Sequence, residues 1–388
     1  MANVLSTSGT WMQKVAQNWL VLTLTGSAFY LGLDNFIGEL PILMLTLVGG
    51  VIADRHDRRL LLIGSQVVQL SAAFTLAALV YFDVVRIWHV LTLSAVTGLA
   101  QSFGGPAYQS FMPSLVERKD LPNAIALNSI QFNLSRIVGP LLAGVALAAV
   151  GMAACFALNG LSFFFVIWAL LMLRLPRASA RSSAPRANQS IAAEMKTGLA
   201  YVRARPALVT LTVIGFLSTF LGLPLQTLMP VVAREVFGQG VQEYSRMMAW
   251  SGTGAVAGAL IVAWKGRYAH MGRTALIVQC VFGVIVIAFA FSRFLPVTYL
   301  LLFIGGAAMI VMTSTMISLA QLIAPDEMRG RVMSIYMVAF RGGMPLGSLA
   351  AGTLASHTGA PLALAINGAL LTAVSIWFLT QNHGVKEL

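Results

Sequence analysis

Lys14, Asp34, Glu39, Arg136 and Arg341 are ionisable side chains set inside long apolar runs. A charge at the middle of a membrane span costs on the order of 3 kcal/mol on insertion scales, so each should mark a transport path or face a partner. Asp34 lies near the end of its run and is expected to be solvated there. Glu39 is deeper, one residue before Leu40-Pro41. A buried carboxylate of this kind can load and release a proton as its access to water alternates. Lys14, Arg136 and Arg341 allow two readings. They can attract an anionic or catechol-bearing substrate, or they can pair with Glu39 and Asp34, and pairing is the first expectation.

Groups at that depth need elements long enough to carry them. The chain of 388 residues is 58% hydrophobic and 10% charged, with mean hydropathy +0.81, against roughly 25% charged residues in a soluble domain. Apolar runs of about twenty residues recur, enough to cross a hydrocarbon core of about 30 Å as helices. The expected class is therefore an all-α membrane protein with twelve transmembrane helices. The first six fall at about 3–25, 29–53, 60–81, 87–112, 123–148 and 150–173. The second six fall at about 207–233, 244–264, 274–292, 296–323, 332–356 and 360–380. Between them, 174–190 reads RLPRASARSSAPRANQS, a polar, basic, Pro- and Ser-rich composition typical of a solvated linker. The division is thus an N-terminal half at 1–173, a linker at 174–206 and a C-terminal half at 207–388.

Loop charges set the orientation. With the loop between the second and third spans inside, eighteen Lys and Arg collect in inside segments, including Arg55, Arg58, Arg59, Arg118, Arg267 and Lys386. Only Arg86, Arg234, Arg246 and Arg293 remain outside. Both termini and the linker are expected in the cytoplasm, and the net charge of +12 needs no nucleic acid to explain it. Ser129, Arg136 and Pro140 return as Ser334, Arg341 and Pro345, so the fifth span matches the eleventh. Matching odd with odd implies halves that repeat in parallel.

Two motifs are specific enough to suggest a family. Gly50-Val-Ile-Ala-Asp54-Arg55-His-Asp-Arg58-Arg59 closes the second span. Gly50 would permit a close helix contact, and Asp54 would meet the positive N-terminal end of a neighbouring helix while the arginines stay with water and lipid headgroups. The fifth span carries Ser135, Gly139, Pro140 and Gly144, small residues that let backbones approach, plus a proline that frees a carbonyl. The first resembles the conformational-switch loop of major facilitator transporters. The second resembles the Gly-Pro antiporter motif of exporters in that family. Asp57, where many members have Gly, and the wording Gly9-Thr-Trp-Met-Gln-Lys-Val-Ala-Gln-Asn-Trp-Leu resemble the branch with enterobactin exporters and macrolide efflux pumps. The resemblance implies that Asp54 bridges to the eleventh span near Val332. It also places residues ahead of Met1, so the first helix is expected to be truncated.

In that fold the first, fourth, seventh and tenth spans line a central cavity. In this sequence they hold 29 Asn, Gln, Ser and Thr, against 14 in the third, sixth, ninth and twelfth. Gln13, Gln17, Asn18, Gln101, Tyr108, Gln109, Gln226 and Gln321 are accordingly the cavity candidates. The expected function is secondary export of a small amphiphilic molecule, drug-like or siderophore-like, by proton antiport with alternating access. The alternatives are a nutrient uptake permease and a membrane-embedded enzyme or lipid-handling protein. The expected partners are the substrate, protons and the lipid bilayer of a bacterial-type inner membrane, with the chain acting as a monomer.

Nothing in the sequence implies a cofactor, a metal or catalytic residues. Cys155 and Cys280 are far apart with no ligand spacing, and no phosphate-binding Gly-x-x-x-x-Gly-Lys-Ser/Thr occurs. His56, His89, His270, His357 and His383 lack a paired nucleophile. Ser251-Gly-Thr-Gly254-Ala-Val-Ala-Gly258 resembles a dinucleotide loop but has no preceding strand, so helix packing is the better reading.

Overall fold

The computed structural model describes residues 2–117, 119–173, 191–266 and 268–381, and its regular elements are all helical. They are α1 (Ala2–Thr25), α2 (Ala28–Arg55), α3 (Arg58–Tyr81), α4 (Ile87–Phe111), α5 (Leu121–Ala149), α6 (Met152–Met172) and α7 (Ile191–Arg203). Then follow α8 (Pro206–Gly222), α9 (Pro224–Val231), α10 (Val241–Lys265), α11 (Met271–Phe291), α12 (Leu295–Ile323), α13 (Arg329–Thr358) and α14 (Ala360–Thr380). Twelve membrane spans result, α8 and α9 forming one. Among the described residues nine are long and apolar enough to cross a membrane by composition alone. The other three, α1, α4 and α13, are as long but more polar, as expected of helices that keep polar side chains among protein neighbours.

Two elements differ from expectation. The seventh span is discontinuous: Pro224 has no N–H to continue the ladder and opens α9 instead, and a π-helical turn at Val232–Val236 follows. The second half of the expected linker is helical. Val202 of α7 is buried with Leu208, Ala324 and Val332, an apolar stripe that the basic composition of the region hides. The expected linker residues 174–190, with Arg118, Arg267 and Lys386, lie outside the described residues.

The chain forms two compact units, Met1–Ala184 with Ala233–Ala249, and Pro185–Val232 with Trp250–Leu388. Each uses the same helix partners. In the first, α1 packs on α5, α3 on α4 and α6, and α2 on α4. In the second, α8 packs on α13, α11 on α12 and α14, and α10 on α12. Glycines make the tightest seams. A Cβ at Gly98 would strike the Gly38 backbone of α2, and one at Gly254 would strike that of Phe303. The Ser251–Gly258 segment is thus a helix-packing surface, lying against Phe303, Gly306 and Ala307. The short segment Ala233–Ala249 belongs with α1 and α5. Asn18 Nδ2 donates to the Tyr244 hydroxyl at 3.0 Å, Trp19 stacks on Tyr244, and Arg234 donates to the Leu22 carbonyl at 3.1 Å.

Candidate transport site

Asp34 stands six residues into α2, about 9 Å along the helix, and is only 4% exposed. The expectation that it is solvated at the helix end is therefore wrong. Depth along the axis does not fix which way a side chain faces, and Asp34 faces α1 and α4. Its carboxylate accepts from Ser94 Oγ at 2.5 Å and from Gln17 Nε2 at 2.8 Å, and the same amide donates to Ser94 Oγ at 2.9 Å. Lys14, three residues before Gln17 on the same face of α1, acts on Asp34 through space. Glu39 is half-buried.

Neither Lys14 nor Arg136 comes within ion-pair distance of Asp34 or Glu39, so the expected pairing is absent in this unit. Both cations gather instead around Trp11. Lys14 Nζ lies 5.6 Å and the Arg136 guanidinium carbon 5.4 Å from the indole centroid, and Phe132 meets the indole edge-on at 6.4 Å. Each cation–π contact returns about 0.5–2 kcal/mol, less than the roughly 3 kcal/mol that each mid-span charge costs. Arg341, on α13, is exposed.

The seam between α1 and α5 fixes this geometry. Ser8 Oγ donates to Ser135 Oγ at 3.0 Å. A Cβ at Gly139 would stand 2.7 Å from the Ser8 carbonyl and 3.1 Å from the Met12 nitrogen. Pro140 is buried inside α5, and a Cβ at Gly144 would add little to the backbone but would sit 3.1 Å from Ser245. One turn and more below, a polar network joins three helices. Asn3 Nδ2 donates to the Tyr108 hydroxyl at 2.9 Å and to Gln131 Oε1 at 2.7 Å, Tyr108 donates to Asn128 Oδ1 at 2.7 Å, and Gln131 Nε2 donates to Thr7 Oγ1 at 2.8 Å. Sequence reading named only Tyr108 of these. Asn128, Gln131, Ser135 and Gly139 are spaced by three, four and four residues, one face of a helix, and that stripe was a readable signal.

The other cavity candidates divide. Gln13 accepts from buried Asn159 at 2.6 Å and Gln101 from Gln69 at 3.4 Å, contacts that tie α1 to α6 and α4 to α3. Gln226 is half-buried, while Gln109 and Gln321 are exposed.

At the C-terminal end of α2, the close contact expected of Gly50 falls one residue earlier. A Cβ at Gly49 would strike Ser102 of α4, whereas one at Gly50 meets open space. Asp54 pairs with Arg58 at 3.4 Å, and Arg55 is exposed. Arg58 also donates to the Ser110 carbonyl at 3.1 Å and Arg59 to the Leu171 carbonyl at 2.8 Å. These are the open carbonyls at the ends of α4 and α6, where a cation also meets the negative end of the helix dipole. Asp57 caps α3, accepting from the Arg59 and Leu60 amides. Its departure from Gly thus has a local structural use.

Twelve spans in two repeated six-helix sets, with polar and charged side chains held at mid-span, define a transporter of the major facilitator fold. Residues 1–386 match the transmembrane secretion effector model, and the chain belongs to that family of the major facilitator superfamily. It is 24% identical to the staphyloferrin A transporter of Staphylococcus aureus, over 97% of this chain and 94% of that one. It is 24% identical to macrolide efflux protein A of Streptococcus pyogenes, over 91% and 87%. It is 29% identical to the multidrug efflux pump Tap of Mycolicibacterium fortuitum, over 95% and 92%. Among solved structures, a bacterial homologue of the human lysosomal transporter Spinster shares the fold at 13% identity, with a TM-score of 0.74 over 97% of this chain and 95% of that one.

Proposed function

We propose that this chain is a secondary exporter that moves a small amphiphilic molecule outward across a bacterial inner membrane in exchange for protons, by alternating access. The observation that carries the reading is Asp34, a buried carboxylate at mid-site with two polar donors and no ion-paired cation. A group so placed changes charge when it gains a proton and so couples protonation to helix contacts. Relatives named for macrolide and multidrug efflux support the outward direction, and the small-residue seam of α5 on α1 supports helix motion without loss of packing. Both termini are assigned to the cytoplasm by the loop charges, the chain works as a monomer, and Asp54 serves as a switch latch between conformations. Glu39, five residues after Asp34, is the second carboxylate available to the proton.

The test uses inside-out vesicles energised to an acid interior and followed with a pH-sensitive dye while siderophores and antibiotics are added one at a time. An exported compound should partly collapse the gradient, and Asp34→Asn should abolish that response in folded protein. If Glu39→Gln abolishes it and Asp34→Asn does not, the proton travels on Glu39. If no compound collapses the gradient, proton-coupled export is wrong and uptake takes its place.

A further inference from the structure

We propose that Trp11, Lys14 and Arg136 form a recognition subsite for an anionic group attached to a planar ring, so that the transported molecule is an anionic aromatic amphiphile. The proposal deepens the export reading and rests on it. Both cations lie within 5.6 Å of one indole centre, so their charges are no farther apart than twice that distance. Both are half-buried, and both sit near the middle of their helices. Neither has a carboxylate at ion-pair distance among the described residues. Asp34, which Lys14 acts on only through space, accepts its hydrogen bonds from Ser94 and Gln17.

Two like charges brought together in a low-dielectric setting repel, and the indole face offsets only part of that cost. A carboxylate, sulfonate or catecholate entering between them is attracted by both. Arg136 offers two parallel N–H donors to its oxygens, and Lys14 offers a point charge. A planar ring joined to the anion would share the indole with the two cations that lie over it, and Phe132 braces the indole from its edge. Gly139 completes the arrangement, because only a residue without a side chain lets α1 bring Trp11 this near to α5.

The experiment uses the full chain in nanodiscs of zwitterionic phosphatidylcholine and two fluorescent probes that share one ring system. Dansylglycine carries a carboxylate and dansylcadaverine an ammonium, and binding is read as energy transfer from tryptophan to dansyl. Dansylglycine should bind saturably, and dansylcadaverine at least about tenfold more weakly. Lys14→Gln and Arg136→Gln should each weaken dansylglycine about tenfold, the loss expected when one charged hydrogen-bond partner goes. Arg136→Lys keeps the charge but loses the paired donors, so its affinity should fall between those of wild type and Arg136→Gln, while Trp11→Phe should lower the transfer signal more than the affinity. The proposal is overturned if dansylglycine shows no saturable binding, if dansylcadaverine binds as well, or if both glutamine variants stay within twofold of wild type. It is also overturned if Arg136→Lys loses as much as Arg136→Gln in protein that elutes as folded, since Arg136 would then be a packing residue. Binding is read here without transport. Dansylglycine that binds but does not cross vesicles would defeat the export reading alone, and an exported cation with no dansylglycine binding would defeat the anion subsite alone.

Discussion

Gly139→Ala should destabilise the protein, and the seam between α1 and α5 allows the size of the effect to be worked out. The new methyl would stand 2.7 Å from the Ser8 carbonyl oxygen, where carbon and oxygen normally keep about 3.3 Å or more. The methyl would also strike the Trp11 Cβ, which is closer still; none of these neighbours is a flexible side-chain end, so the helices must part by at least about 0.6 Å. Carried along the seam, that opening stretches the Ser8–Ser135 hydrogen bond from 3.0 Å to beyond useful range, at a cost of about 1 kcal/mol. Overpacking adds about 1–3 kcal/mol. Alanine returns about 0.5–1 kcal/mol through its better helix propensity, so the net loss should be about 1–3 kcal/mol. Gly50→Ala is the matched control, because its methyl meets open space; it should be neutral or slightly stabilising. Thermal unfolding of both purified variants in the same detergent reads the comparison. A Gly139→Ala protein as stable as wild type, or a Gly50→Ala protein that is the weaker of the two, would refute the packing argument.

Asp57→Ala should cost about 1 kcal/mol by removing the cap of α3, and Asp57→Asn should cost much less because its side-chain oxygen can still accept; thermal unfolding distinguishes them. Gln279→Met should be neutral or stabilising by up to about 1 kcal/mol. The Gln279 amide nitrogen is buried without a partner, and Ser218, which donates to its oxygen, keeps the Ile214 carbonyl as acceptor. A clear loss of stability on that change would mean that an unseen partner, such as water, satisfies the amide.

The spans were legible because run length and hydropathy answer directly to the thickness of a membrane, and the expected ends of α12 and α14 differ from those observed by a residue or less. α7 was not legible. Its apolar residues serve a small contact with α8 and α13, and the basic linker composition around it dominates the pattern. At the site, sequence named Gln17 and Asp34 but not their junction, because hydropathy gives depth while Ser94 on another helix determines facing. Trp11 escaped for a related reason. Asn3, Thr7, Trp11 and Lys14 repeat at four, four and three residues, a face pointing at the Asn128 to Gly139 stripe, yet only the two stripes read together reveal the cation pair. Gly49 and Gly50 are identical to a sequence reader, and only the position of α4 tells them apart.

The most direct test of the central claim compares two transport modes in proteoliposomes, using the compound that the vesicle dye assay identifies. Net movement driven by a pH jump requires the carrier to return protonated, whereas exchange of labelled for unlabelled compound at equal pH does not. Asp34→Asn should lose pH-driven net transport and retain exchange, as expected if the substitution removes proton coupling and leaves the substrate path intact. Undiminished pH-driven transport by Asp34→Asn would contradict the account.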